Sequence, residues 1–203
     1  MDVYSLPPRA FASNCYLLVS NEQAALVDPG SNAKAILRKL EESGARLAYI
    51  LLTHAHFDHM GAVREVLQKF PVPVYLHESE RDFPGDPAKN AAFLIRADLR
   101  FPAPDRFFAG GEEIPLGKEH IKVLHTPGHT AGSCCFLAGE HLVTGDTLFA
   151  DGVGRTDLYS GDANSLLASL ISLKNLSDNL TVYPGHGASA TLGEALRRAS
   201  LWL

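Results

Sequence analysis

The stretch Thr53-His54-Ala55-His56-Phe57-Asp58-His59 puts three histidines and one aspartate within six residues, directly after the apolar run at 48–52. In extended backbone, side chains two apart share a side, so His54 and His56 can chelate a single cation. On a helix the same pair would point about 200° apart, at 3.6 residues per turn. The spacing therefore asks for extended chain at 54–56. A helix carrying Val63 and Val66 follows, and Asp58 and His59 fall at its start, where the helix dipole favours an anionic side chain. Those two residues can face a second position beside the first. One short segment thus offers ligands to two adjacent metals, and imidazole and carboxylate at this density suit little else.

Three more candidates stand in a common setting. His129 follows the apolar run 121–124 in Thr126-Pro127-Gly128-His129, and Asp146 follows 142–144 in Thr144-Gly145-Asp146. His186 follows 181–183 in Pro184-Gly185-His186. Each lies just past a strand's carboxyl end, beside a glycine that permits a tight turn, and open sheets gather their sites at that edge. His77, His120, His125 and His141 lack this setting and are read as non-ligands, His77 being the nearest to an exception because it ends a strand.

Around these motifs, short apolar runs alternate with helical periods, the pattern of a layered α/β domain. The runs predict strands at 3–6, 15–19, 24–27, 48–52, 72–76, 121–124, 133–137, 142–144 and 181–183. Helical stripes occur at Ala33, Ile36, Leu37 and Leu40, at Val63, Val66, Leu67 and Phe70, and at Leu166, Leu167, Leu170 and Leu173. Residues 78–111 mix Pro84, Gly85, Pro87, Pro102 and Pro104 with a short helical period at 91–97. This stretch reads as a loop-and-helix excursion at the rim of one domain spanning 1–203, either a lid or substrate wall or a plain connector.

Composition narrows the function. Eighteen Lys and Arg against 23 Asp and Glu leave a net charge of -5 with no basic stripe, which argues against a nucleic-acid partner. The longest clean apolar run, 47–52, is too short to span a bilayer. Residues 1–11 show neither a cationic start nor an apolar stretch, so no signal peptide is expected. Cys15, Cys134 and Cys135 form an odd set with two adjacent members, which reads as small buried hydrophobes rather than a disulfide framework. A cytoplasmic protein with no membrane partner is the expectation.

These residues resemble the metallo-β-lactamase superfamily: Thr53–His59, with His129, Asp146 and His186 in order downstream and Asp28-Pro29-Gly30 after the third strand. The resemblance covers essentially the whole chain and implies an α/β (α+β) fold, the four-layer αββα metallo-β-lactamase sandwich. It also implies that His54, His56 and His129 hold a first divalent metal, and Asp58, His59 and His186 a second. The Asp146 carboxylate bridges them, with Asp58 also orienting the hydroxide that the metals generate. Zinc is the first expectation for both ions, with iron or manganese also suited to nitrogen and oxygen donors.

Three departures narrow the branch. Asp146 stands where β-lactamases of the commonest class carry a cysteine ligand, and His56 where flavin-coupled diiron relatives carry a glutamate; the long insert of nuclease relatives is absent. The sequence is most similar to short bacterial glyoxalase II-like hydrolases (hydroxyacylglutathione hydrolase-like), through Gly152-Val153-Gly154-Arg155-Thr156-Asp157. That likeness implies hydrolysis of a small-molecule thioester such as S-lactoylglutathione, with Arg155 a candidate to pair with a substrate carboxylate. Full-length glyoxalase II reads Gly-Arg-Phe-Phe at that point and has a C-terminal helical domain that helps hold glutathione. Neither is found before Leu203, so the likeness extends to the thioester chemistry and leaves glutathione recognition open. The Gly-Arg-Thr-Asp stretch is also similar to glutathione persulfide dioxygenases, which would use one iron on His54, His129 and Asp146.

Overall fold

The computed structural model describes residues 1–6, 8–10 and 12–200. Pro7 and Phe11, part of the stretch read for a signal peptide, and residues 201–203 lie outside it. Two six-stranded sheets face each other. The first is ordered β1 (Asp2–Leu6), β2 (Cys15–Ser20), β3 (Gln23–Val27), β4 (Arg46–Leu51), β5 (Val74–His77) and β6 (Arg106–Phe108). It is antiparallel as far as β3 and parallel from there on. The second contains β7 (Glu113–Leu116), β8 (Glu119–His125), β9 (Cys134–Ala138), β10 (His141–Gly145), β11 (Thr181–Pro184) and β12 (Ala190–Thr191), with β7 and β12 at its edges. Only β10 and β11 run parallel in that sheet.

The period-two alternation decides how these sheets stack. Along β2, Tyr16 and Leu18 point into a core shared with Phe136 and Val143 of the other sheet. Cys15, Leu17 and Val19 point the other way, onto Ile36 and Leu40 of α1 (Ala33–Ser43) and Val63 and Val66 of α3 (Val63–Lys69). Between these helices lies the one-turn α2 (Phe57–Met60). On the second sheet, Cys134 faces inward while its neighbour Cys135 packs with Leu166 and Leu170 of α4 (Ala163–Leu173) and Ala195 of α5 (Leu192–Ala199). Helices therefore cover both outer faces, which is the αββα sandwich. All three cysteines are buried and unpaired. No helix among the described residues is long and apolar enough to cross a membrane.

Three strands and α5 go beyond the sequence reading. The excursion ends at Asp105 rather than 111, because Arg106–Phe108 pairs in parallel with 75–77. Its helical period at 91–97 forms a 3₁₀ turn at Ala92–Ile95. The excursion is also not all rim: Glu80, in the first 3₁₀ turn (Glu78–Glu80), is wholly buried.

The sheets are stitched together where the site lies. Cys134 N–H donates to the Thr53 carbonyl at 2.9 Å, Asn14 N–H to Gly185 O at 2.7 Å, and the Tyr16 hydroxyl to Pro184 O at 2.6 Å. The loops after β4, β8, β10 and β11 are thereby brought to one edge of the sandwich.

Candidate metal centre

All seven candidate ligands converge at that edge. Past β4 the chain bends at Thr53 and His54, and His56 (φ -75°, ψ 148°), itself extended, precedes α2, whose first turn carries Asp58 and His59. His54 Nε2 and His56 Nδ1 lie 3.2 and 2.9 Å from His129 Nε2. On the other side, His186 Nε2 is 3.1 Å from Asp58 Oδ2. Asp146 lies between: Oδ1 is 3.4 Å from His59 Nε2, and Oδ2 is 3.6 Å from both His129 Nε2 and His186 Nε2. Three donor groups are compact enough for a cation: His54, His56 and His129; Asp58, His59 and His186; and His54, His59 and Asp146.

Hydrogen-bond logic shows what these groups fit. The Thr53 hydroxyl donates its one proton to Asp28 Oδ2 at 2.6 Å, so at 3.1 Å from His54 Nδ1 it can only accept. His54 Nε2 is then unprotonated. His129 Nδ1 donates to the Arg155 carbonyl at 2.7 Å, so its Nε2 is unprotonated as well. Two bare lone pairs face each other at 3.2 Å. A tetrahedral cation with ligands at about 2.0 Å sets nitrogens about 3.3 Å apart, so this spacing fits two ligands of one metal. His59 Nε2 and Asp146 Oδ1, 3.4 Å apart, are buried with no hydrogen-bond partner among the described residues, so both point coordinating atoms into the site.

The electrostatics divide the site in two. Burial and the neighbouring imidazoles hold His54 well below the usual histidine range, and burial with His129 pushes His56 down to about 3. Burial lowers His129 too. These three stay neutral, the state a metal ligand requires. At His59 burial opposes charge, yet Asp28, Asp58 and Asp146 outweigh it and hold the ring well above its usual value. His186 is raised by its hydrogen bond to Asp58. At Asp146 burial is likewise outweighed, by His59 and then His129 and His186, which keeps the carboxyl below the ordinary range. A field that draws a proton onto His59 in this way draws a dication too.

Residues not read from the sequence as site residues complete the architecture. Asp28, in the left-handed region at φ 50°, accepts from Thr53 N–H at 2.8 Å, from the Thr53 hydroxyl, and from His59 Nδ1 at 2.9 Å. It therefore sets a ring on each side of the centre. Glu80 clamps the two histidine loops: it accepts from Ala55 N–H at 2.6 Å, from Gly132 N–H at 3.0 Å and from the Thr130 hydroxyl. The Asp28-Pro29-Gly30 turn was a visible signal for the first, whereas an acidic residue in a loop gave none for the second. His77 stays outside the cluster. It stacks on His125 at 4.1 Å, and both its nitrogens are engaged, by Ala109 O and by Ser79 N–H.

Gly185 shows how tight the centre is. A Cβ there would lie 2.1 Å from Asp146 Oδ1 and 2.9 Å from His59 Cε1. Gly185→Ala is expected to shift Asp146 and to cost about 10–100-fold in metal affinity, the scale of a disturbed ligand support. Equilibrium dialysis against zinc reads this directly. Arg155 reaches the site through its carbonyl. Its guanidinium is exposed and held by Asp157 at 2.6 and 2.7 Å. If that pairing is its whole role, Arg155→Ala leaves KM for an anionic thioester unchanged, whereas a clear rise in KM assigns it to a substrate carboxylate.

The profile of the metallo-β-lactamase superfamily matches residues 8–186, and the chain belongs to that superfamily of metallo-hydrolases. Among curated relatives, it is 37% identical to the hydroxyacylglutathione hydrolase GloC of Haemophilus influenzae, over 97% of this chain and 96% of that one. It is also 37% identical to a probable metallo-hydrolase, YqgX, of Bacillus subtilis, over 90% and 88%. Among solved structures, BLEG-1, a B3 metallo-β-lactamase, superposes with a TM-score of 0.91 at 35% identity, covering 97% of each chain. TTHA1623 in a di-iron-bound form gives 0.81 at 35%, covering 99% and 100%. ETHE1 from Myxococcus xanthus gives 0.78 at 28%, covering 98% and 83%.

Proposed function

We infer that this protein is a binuclear metal-dependent thioester hydrolase, acting on an S-acylated small thiol such as S-lactoylglutathione. The observation that carries the reading is the placing of Asp146 within 3.6 Å of His129 in one donor group and of His59 and His186 in the other. Similarity to a hydroxyacylglutathione hydrolase along nearly the whole chain supports the substrate class. His54, His56 and His129 would hold one ion, Asp58, His59 and His186 the other, and Asp146 both. The donors are nitrogen and oxygen only, so zinc leads, with iron or manganese compatible. Three unpaired buried cysteines support a cytoplasmic location.

Bound there, divalent metals supply a nucleophilic water near neutral pH and a Lewis acid for the carbonyl. The protein's own residues do the positioning. Asp28, through Thr53, fixes the His54 tautomer, and directly that of His59; the Arg155 carbonyl fixes that of His129. Asp58 is tied to His186, which is 38% exposed and marks the side open to substrate. Expulsion of the thiolate needs no strong acid from the protein, because the parent thiol has a pKa of about 8.5.

The test is hydrolysis of S-lactoylglutathione by protein loaded with zinc or iron, with nitrocefin as a β-lactam control. Metal-dependent glutathione release supports the reading. Faster turnover of the β-lactam would displace it. A second reading rests on the Gly152–Asp157 stretch and on the proximity of His54, His129 and Asp146, a two-histidine, one-carboxylate set suited to one iron. It predicts oxygen uptake with glutathione persulfide and no thioester hydrolysis.

A further inference from the structure

Beside Asp58 the molecule has a cavity of about 350 Å³ with an unusually apolar wall, made by Ala12, Phe57, Ile95, Leu99 and Phe101. Among the described residues, Arg9 and Asp58 are the only charged ones lining it. Asp58 lines it and is also one of the candidate ligands, which places the cavity beside the centre.

The wall from 92 to 99 is built, not merely left exposed. Phe93, Leu94, Ile95 and Leu99 are 50, 47, 50 and 37% exposed, four large apolar side chains within seven residues, of which Ile95 and Leu99 line the cavity. Single exposed hydrophobes need no explanation, but a contiguous group beside a site does. The 3₁₀ turn that carries three of them is bracketed by Ala91 and Arg96, both non-glycine residues in the left-handed region at φ 63° and 55°. Such conformations persist where the surroundings enforce them. Here the enforcing residue is Asn90, which is fully buried. Its side chain donates to Pro84 O and Leu99 O and accepts from Ala92 N–H, and its carbonyl accepts from Phe57 N–H at 2.9 Å. One residue thus ties both ends of the apolar wall to the start of the helix that presents Asp58.

We propose that this cavity is the acyl subsite and that the enzyme's preferred substrates carry an aliphatic acyl chain longer than the lactoyl group. The proposal rests on the thioester hydrolase reading for its reaction, and on the cavity alone for its apolar ligand. A thioester carbonyl at the centre has two substituents, and the aliphatic one finds a desolvating wall next to Asp58. Each methylene buried there raises kcat/KM about fourfold, the value of about 0.8 kcal/mol of transfer free energy.

The test uses the metal-loaded, full-length enzyme with S-acetyl-, S-butyryl- and S-hexanoylglutathione. The wild type is expected to show kcat/KM rising along the series. Ile95→Ser flattens the hexanoyl-to-acetyl ratio, while Ile171→Ser, an equally exposed apolar residue on α4, leaves that ratio as in the wild type. Hydrolysis with no dependence on chain length overturns the subsite and leaves the reaction standing. If no thioester is cleaved, octanoate binding by calorimetry decides: binding weakened by Ile95→Ser upholds the apolar subsite without the reaction, and absence of binding rejects both. Self-association that Ile95→Ser abolishes, without chain-length preference, would assign the wall to a second copy of the chain and overturn the proposal.

Discussion

Asp146→Ala is expected to abolish turnover, with kcat falling by at least about 10³-fold, equivalent to losing about 4 kcal/mol of transition-state stabilisation. The size of the effect follows from where the carboxylate sits. Its two oxygens face His59 on one side and His129 and His186 on the other, all within 3.6 Å. The carboxylate thereby reaches His129 of one donor group and His59 and His186 of the other. Without it, two dications would face each other with Asp58 as the one carboxylate in the ligand set, and their mutual repulsion would go undamped. Metal content should therefore fall along with activity, to one ion per chain or fewer. Mass spectrometry of metal in the purified variant checks this, and a full complement of metal would mean that the carboxylate does not bridge.

Glu80→Ala is expected to be the most destabilising substitution away from the ligands. Glu80 is fully buried, and its removal leaves the N–H groups of Ala55 and Gly132 without an acceptor. Each orphaned buried donor costs about 1–3 kcal/mol. Together they should lower Tm by roughly 5–20 °C, at about 2–4 °C per kcal/mol for a chain of this size. Ala55 separates His54 from His56, so metal affinity should weaken in parallel. Burial pushes the Glu80 carboxyl up to about 7 from a usual 4.5, although its three hydrogen bonds oppose this. The folded state then holds a proton that the unfolded state has lost between those two values, so this contribution to stability falls as pH rises from about 4.5 to 7. Glu80→Gln cannot titrate. The stability advantage of wild type over Glu80→Gln, measured on metal-free protein, should shrink across that window.

The sequence displayed the ligands more openly than the framework that orients them. His54, His56, Asp58 and His59 share one segment, and His129, Asp146 and His186 each follow an apolar strand and a glycine, so local patterning was enough to single out the candidates that the fold brings to one edge. Alternation likewise exposed most of the strands. What stayed hidden depends on tertiary placement. Pro115 argues against a strand, yet β7 lies at a sheet edge, where a missing N–H costs nothing. Arg106–Phe108 is three residues long in a proline-rich stretch and is defined only by its partner β5. Helix α5 did carry a local signal, the Thr191 and Glu194 capping box, beyond the stripes that were read. Glu80 carried none: its role exists only once the loops after β4 and β8 come together around it.

The most direct test of the account is a titration of metal-free protein with zinc, following S-lactoylglutathione hydrolysis and bound metal together. The account predicts that hydrolysis rises with metal and reaches its plateau at two ions per chain. A plateau at one ion, or saturation with zinc and iron without any thioester hydrolysis, would contradict it.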